Sequence, residues 1–175
     1  MYTVFVNHTE EEHIVSSNNM AYIYNNQEFW DKIITWSIDR ADSYQFRLWE
    51  NDLKEIKDLS LLGENVDNKD TKEVVFTGKL NDGINNYLLK EYLTEEGSIK
   101  FFTILFEKDC KVISSLSHYG HEIHLEIENL EEAKELKEEL DNEFIEAEIL
   151  EYSTDEEGFI SIKEVLPKIE CEEKM

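Results

Sequence analysis

The stretch Ser98–Ile127, SIKFFTILFEKDCKVISSLSHYGHEIHLEI, carries the plainest pattern in the chain. Ser98 to Phe106 is its most apolar part, with Ile99, Phe101 and Leu105 on one parity and Phe102, Ile104 and Phe106 on the other. Bulky residues on both parities predict a central strand covered on both sides. Lys108–Asp109 reads as a tight turn into a second strand, Lys111–Ser117, and Gly120 breaks that strand. His121 to Ile127 then alternates strictly. Ile123, Leu125 and Ile127 face in, and Glu122, His124 and Glu126 face out. A period of two is the mark of a half-buried strand. Three such runs joined by short turns predict an antiparallel meander.

Working outward, Met1–Val6 reads as a short strand. Asn25 followed by Glu28 has capping-box spacing, and Phe29, Trp30, Ile33, Ile34 and Ile38 recur at helical intervals. Trp36 falls off the centre of that stripe. Tyr44, Phe46 and Leu48 alternate as a strand, and Leu53 to Leu62 is readable as a short helix ended by Gly63. Residues 65–72 read as a loop and Glu73–Leu80 as a strand. Ile84, Tyr87, Leu88 and Tyr92 form one face of a helix. Asn129, with Glu132 three positions on, caps another, whose narrow apolar stripe is Leu130, Ala133, Leu136 and Leu140. Phe144–Tyr152 alternates, Phe159–Val165 reads as a strand or short helix, and residues 167–175 form a frayed tail. The fold class predicted is α+β, a mostly antiparallel sheet with about three helices in a single domain over residues 1–166.

Charge bounds the function. Among 175 residues, 41 are Asp or Glu and 17 are Lys or Arg, for a formal net charge of -24. Residues 122–175 hold 20 of those acids against five lysines. Such a chain repels phosphate backbones and anionic membranes, so direct binding to nucleic acid or membrane is not expected. A basic protein partner is favoured, because opposite charge speeds encounter. Hydrophobic residues at 41% still suffice for a core. The N-terminus lacks the basic flank and apolar run of a signal peptide, and no stretch approaches a membrane span. Cys110 and Cys171 have no metal-type spacing and suit a reducing compartment, so a cytoplasmic location is expected.

Motifs for catalysis are scarce. There is no nucleophile elbow, no phosphate-cradling glycine loop and no dinucleotide fingerprint. Asp67, Asn68 and Asp70 match only part of a calcium loop, lacking its glycine and closing glutamate. His118, His121 and His124, with Glu122 among them, offer imidazoles and a carboxylate for a metal-dependent enzyme. On a strand, however, His118 and His124 share a face and His121 points away. No catalytic residue, metal or cofactor is expected.

The best surface candidates are therefore acids and tryptophans. Glu122 and Glu126 on one strand, Glu146 and Glu148 on another, and Glu131, Glu132, Glu135 and Glu139 on the helix between are expected to form one negative face. Trp36 and Trp49, both off the main apolar faces, are the candidate exposed aromatics of an interface. The reading is an acidic inhibitor of the immunity-protein or phage-inhibitor kind, occupying the basic cleft of a toxin or another nucleic-acid-processing enzyme. The alternatives are the histidine-hairpin enzyme and a non-catalytic regulatory or assembly protein.

Overall fold

A computed structural model describes residues 1–7, 27–66, 72–95, 97, 99–141, 147–154 and 160–165. In chain order the elements are β1 (Tyr2–Asn7), α1 (Gln27–Arg40), β2 (Ser43–Trp49), α2 (Leu53–Leu59), β3 (Glu64–Val66), β4 (Glu73–Lys79) and α3 (Asp82–Lys90). β5 (Thr103–Lys108), β6 (Lys111–Ser117), β7 (Glu122–Ile127), α4 (Leu130–Leu140), β8 (Ala147–Thr154) and β9 (Ile160–Glu164) follow. The strands form one sheet in the order β3-β4-β2-β5-β6-β7-β1-β8-β9. Every neighbouring pair is antiparallel. The predicted meander is present as β5-β6-β7. The N-terminal strand β1 fills the gap between β7 and β8, pairing Val4 with Leu125 on one side and Ile149 on the other.

Alternation along each strand sends one set of side chains to a helical layer. Val4, Val6, Phe46, Ile104, Phe106, Leu116, Ile123, Leu125 and Ile149 are buried there. They share one core with Phe29, Trp30, Ile33 and Ile34 of α1, Ile84 and Leu88 of α3, and Ala133, Leu136 and Leu140 of α4. α4 lies over β7, β1 and β8, and α1 over β5 and β6. Beside α1 runs α3, where the Trp30 indole N–H donates to the Leu88 carbonyl at 2.8 Å. Two hydroxyls are buried in the seam between α1 and β6, and they satisfy each other: Ser37 and Ser114 lie 2.8 Å apart, and Ser37 also donates to the Ile33 carbonyl.

Among the described residues there are four helices rather than about three. The stretch Leu53–Leu59 forms α2 because it carries Leu59 into the core, with Ile56 packed against it. The segment read as a loop from residue 65 opens with β3, which pairs with β4; residues 67–71, with the partial calcium-loop match, lie outside the described residues. The C-terminal ambiguity resolves as the strand β9. Asn25, the tail from residue 167 and Cys171 also lie outside the described residues.

The strand expected to be covered on both sides is covered by helices on one side only among the described residues. β5 begins only at Thr103, and Ile99 and Phe101 reach the core from the segment before it. The alternation slips at Phe102. Its ring turns to the opposite face to meet Trp49, and its carbonyl accepts the Tyr119 N–H at 3.0 Å. The helices cover one face of the sheet, and no described helix lies on the other. That second face carries Gln45, Arg47, Leu105, Ser115, His124, Phe5 and Glu148, which neighbour one another across the strands.

Candidate functional site

The helix α4 is a rigid mount for charge. Asn129 caps it, its Oδ1 accepting the Glu131 N–H at 2.8 Å. Ala133, Leu136 and Leu140 anchor its inner side. Its outer side carries the acids, and they fall into two groups. Glu131 is paired with Lys134 at 2.7 Å, and Glu132 with Arg40 of α1 at 2.9 Å. Glu132 was expected to complete the capping box and instead joins α4 to α1. Glu135, Glu138 and Glu139 are exposed and make no ion pair among the described residues.

The strand acids lie elsewhere. Glu122, Glu126 and Glu148 lie on the sheet face that no described helix covers, on the far side from α4, because each alternates with a core residue such as Ile123, Leu125 or Ile149. One flat partner surface therefore cannot touch the strand acids and the helix acids together. Glu148 is exposed. Glu126 is turned inward, with Oε1 accepting from the Thr3 hydroxyl at 2.9 Å and Oε2 shielded without a hydrogen-bond partner. Glu146 lies outside the described residues.

The two tryptophans part company. Trp36 was expected to be exposed and is instead buried, at 9% of its free surface. Lys32, Trp36 and Arg40 form one i, i+4 row on α1 that faces α4. Lys32 donates to the Glu139 carbonyl, Arg40 pairs with Glu132, and the Arg40 guanidinium stacks 4.5 Å over the Trp36 ring. Trp36 is thus the filling of a helix–helix seam, which a single apolar stripe does not reveal.

Trp49, half-buried at the end of β2, gathers an aromatic corner. Its ring lies 4.6 Å from that of Phe102, which in turn lies 5.5 Å from His118 and 5.7 Å from Tyr119. His118 Nδ1 approaches Glu122 at 3.4 Å. Three sequence candidates from separate elements, Trp49, His118 and Glu122, therefore meet around Phe102, which sequence reading placed in the core. The turn beside them is strained at His118 and Tyr119, which take positive φ at 52° and 59°, while Gly120 at 84° adopts such a backbone freely. Behind it, burial raises the Asp52 carboxyl, against the pull of the Trp49 N–H that it accepts at 2.9 Å. Burial also raises the Tyr119 hydroxyl, with Asp52 and Glu55 adding to the effect.

The histidines do not converge. His118 stands on the strained turn, whereas His124 lies along β7 against Phe5, with ring centroids 4.7 Å apart. Among the described residues no three His, Cys, Asp or Glu side chains form a group able to hold a metal ion. Cys110 is a free, exposed thiol in the β5–β6 turn. An open groove of about 740 Å³ is lined by Ser43, Tyr44, Gly63, Gly78 and Lys79 among others; at its edge the Ser43 hydroxyl donates to the Asp42 carboxylate at 2.9 Å. No described helix is long and apolar enough to cross a membrane. The chain matches no family model, no curated protein and no solved structure at a significant level.

Proposed function

We propose that this protein is an inhibitor that works by binding: it fills the basic cleft of a toxin or another nucleic-acid-processing enzyme in the cytoplasm. The observation that carries this reading is the outer surface of α4. Glu135, Glu138 and Glu139 stand there exposed, with no ion pair among the described residues, on a helix whose inner side is fixed by three buried residues. Carboxylates on an anchored helix lose little further freedom on binding, and spaced charge on a rigid rod presents to Arg and Lys much what a phosphate backbone presents. The net charge of -24 supplies the long-range attraction. Exposed single pairs contribute only about 0.2–1 kcal/mol, so affinity on this reading comes from several desolvated pairs acting together.

The test is co-expression with the nucleic-acid-processing enzymes encoded beside its gene, followed by inhibition assays on the purified pair. Stoichiometric inhibition that weakens as salt rises is expected. The triple variant Glu135→Lys/Glu138→Lys/Glu139→Lys keeps the Arg40–Glu132 and Lys134–Glu131 pairs and should bind at least tenfold more weakly, or about 1.4 kcal/mol. Reversal of Glu122 and Glu148 on the opposite face is the comparison. If that pair abolishes inhibition while the helix triple leaves it intact, the docking surface is the sheet and not α4.

A further inference from the structure

The free edge of β9 coincides with strongly exposed apolar side chains. All five residues of β9 are exposed, with Ile160 keeping 69% and Ile162 60% of their free surface. Among the described residues β9 ends the sheet and pairs with β8 alone. The Val165 N–H donates to the Ile149 carbonyl at 2.7 Å, which sets the phase of the ladder. With Leu150 opposite Glu164 and Tyr152 opposite Ile162, residues Ser161 and Lys163 turn their N–H and C=O groups toward β8. Ile160, Ile162 and Glu164 turn theirs outward. Sheets usually shield such an edge with charge, proline, a bulge or a covering element. Of these three outward residues only Glu164 is charged, and among the described residues nothing pairs with them.

The side chains agree with the backbone. Ile160 and Ile162 share the face away from the described helices with Tyr152 and Leu150, and Phe5 of β1 lies on that same face. Glu148 and Glu164 border these residues. An unpaired edge beside exposed apolar residues is the usual receiving geometry for an added strand. Charge decides between occupants. A second copy brings another -24, whereas a cationic segment is drawn in by the same field.

We propose that the β9 edge takes up an extended segment of a basic partner protein as a tenth strand. Its apolar residues, two apart, lie beside Ile160 and Ile162, and a Lys or Arg at its end meets Glu164. This inference stands on β9 alone and does not depend on the α4 surface.

The probe is the capped peptide KTVTVTK, titrated into the isotope-labelled protein and followed by amide chemical shifts. Saturable shifts centred on residues 160–164 are expected. Ile162→Pro removes an outward N–H without breaking a bond to β8, so the sheet should persist by circular dichroism while peptide affinity falls at least tenfold. Should that variant misfold, the same peptide N-methylated on alternate residues of its pairing edge should fail to bind the unmodified protein. Shifts confined to α4, equal binding of the acidic analogue ETVTVTE, or undiminished binding by a folded Ile162→Pro variant would each overturn the proposal. So would a dimer in sedimentation that Ile162→Pro converts to monomer, since the occupant would then be a second copy.

Discussion

Tyr44 shows how one side chain dictates its neighbours. Its ring is buried in β2, and its hydroxyl reaches the Leu62 carbonyl at 3.4 Å. A Cβ added at Gly63 would sit 2.6 Å from that hydroxyl, and one added at Gly78 2.7 Å from it and 3.0 Å from the ring. Neither position tolerates a side chain without movement of a packed aromatic. Gly63→Ala should therefore cost about 1–3 kcal/mol in urea unfolding. In a Tyr44→Phe background the 2.6 Å contact disappears, and the same substitution should cost less than half as much. Gly78→Ala should stay costly there, because the ring itself remains in the way. Cys110 presents the opposite case. With Asp109 it makes the two-residue β5–β6 turn, both at positive φ, 49° and 62°. Hairpin turns of this kind favour glycine at the second position. Left-handed backbone costs a non-glycine residue roughly 1–2 kcal/mol, partly offset by the greater freedom glycine loses on folding, about 0.5–1 kcal/mol. Cys110→Gly should stabilise the protein by roughly 0.5–1 kcal/mol, read as a rise of a few degrees in Tm.

Between elements, Asp42 ties three strands and a turn. Its carboxylate accepts from Ser43 at 2.9 Å, from Lys79 at 3.1 Å and from the Asp109 N–H at 3.3 Å, while its backbone bonds Glu107 and Leu80. These bonds, the Ser43 hydroxyl first and Lys79 next, hold the carboxyl down to about 2 from the ordinary 3.8. The folded state thus prefers the charged form. Its stabilisation is complete above the unfolded value and is lost as pH falls from about 4 through about 2. Asp42→Asn should lower the urea midpoint at pH 5, and the gap to the unmodified protein should close by pH 2. A gap that is unchanged across that window would show that the carboxylate's charge is not what the strands use. Much at this scale was legible beforehand. Leu130, Ala133, Leu136 and Leu140 announced α4, and Ile123, Leu125 and Ile127 announced the inner face of β7, because periodicity records burial directly. It does not record neighbours. Nothing in Thr3-Val4-Phe5 says that β1 lies between β7 and β8, and nothing near Trp36 says that a second helix covers it. The acids of β7 and α4 are close in sequence, but the chain passes from the uncovered face to the helical layer between Ile127 and Leu130, which divides the single negative surface that charge counting had suggested.

At the scale of the molecule, charge acts in two opposed directions. A net charge of -24 makes the folded chain repel itself, and a sheet face and a helix layer both rich in carboxylates have few cations to offset it. Screening falls to about a 10 Å range at 0.1 M salt. Raising sodium chloride from about 0.02 to 0.3 M should therefore raise Tm, by a few degrees for each ~1 kcal/mol of relieved repulsion. The same change should weaken any complex with a basic partner. Thermal melts and binding isotherms on one salt series measure both. A Tm that falls with salt would place net attraction, not repulsion, among the surface charges.

The place of β1 also bears on how the chain comes to fold. Residues 2–7 leave the ribosome before every other described strand, yet their partners are residues 122–127 and 147–151. At ~5–20 residues per second, the first of those partners follows on the order of ten seconds later. Through that interval the apolar segment Val4-Phe5-Val6 has both edges open, while β5 and β6 can already pair locally. Contacts of such long sequence separation slow folding. The join between β7 and β8, two strands in from the β9 edge, therefore closes late, because it needs β1.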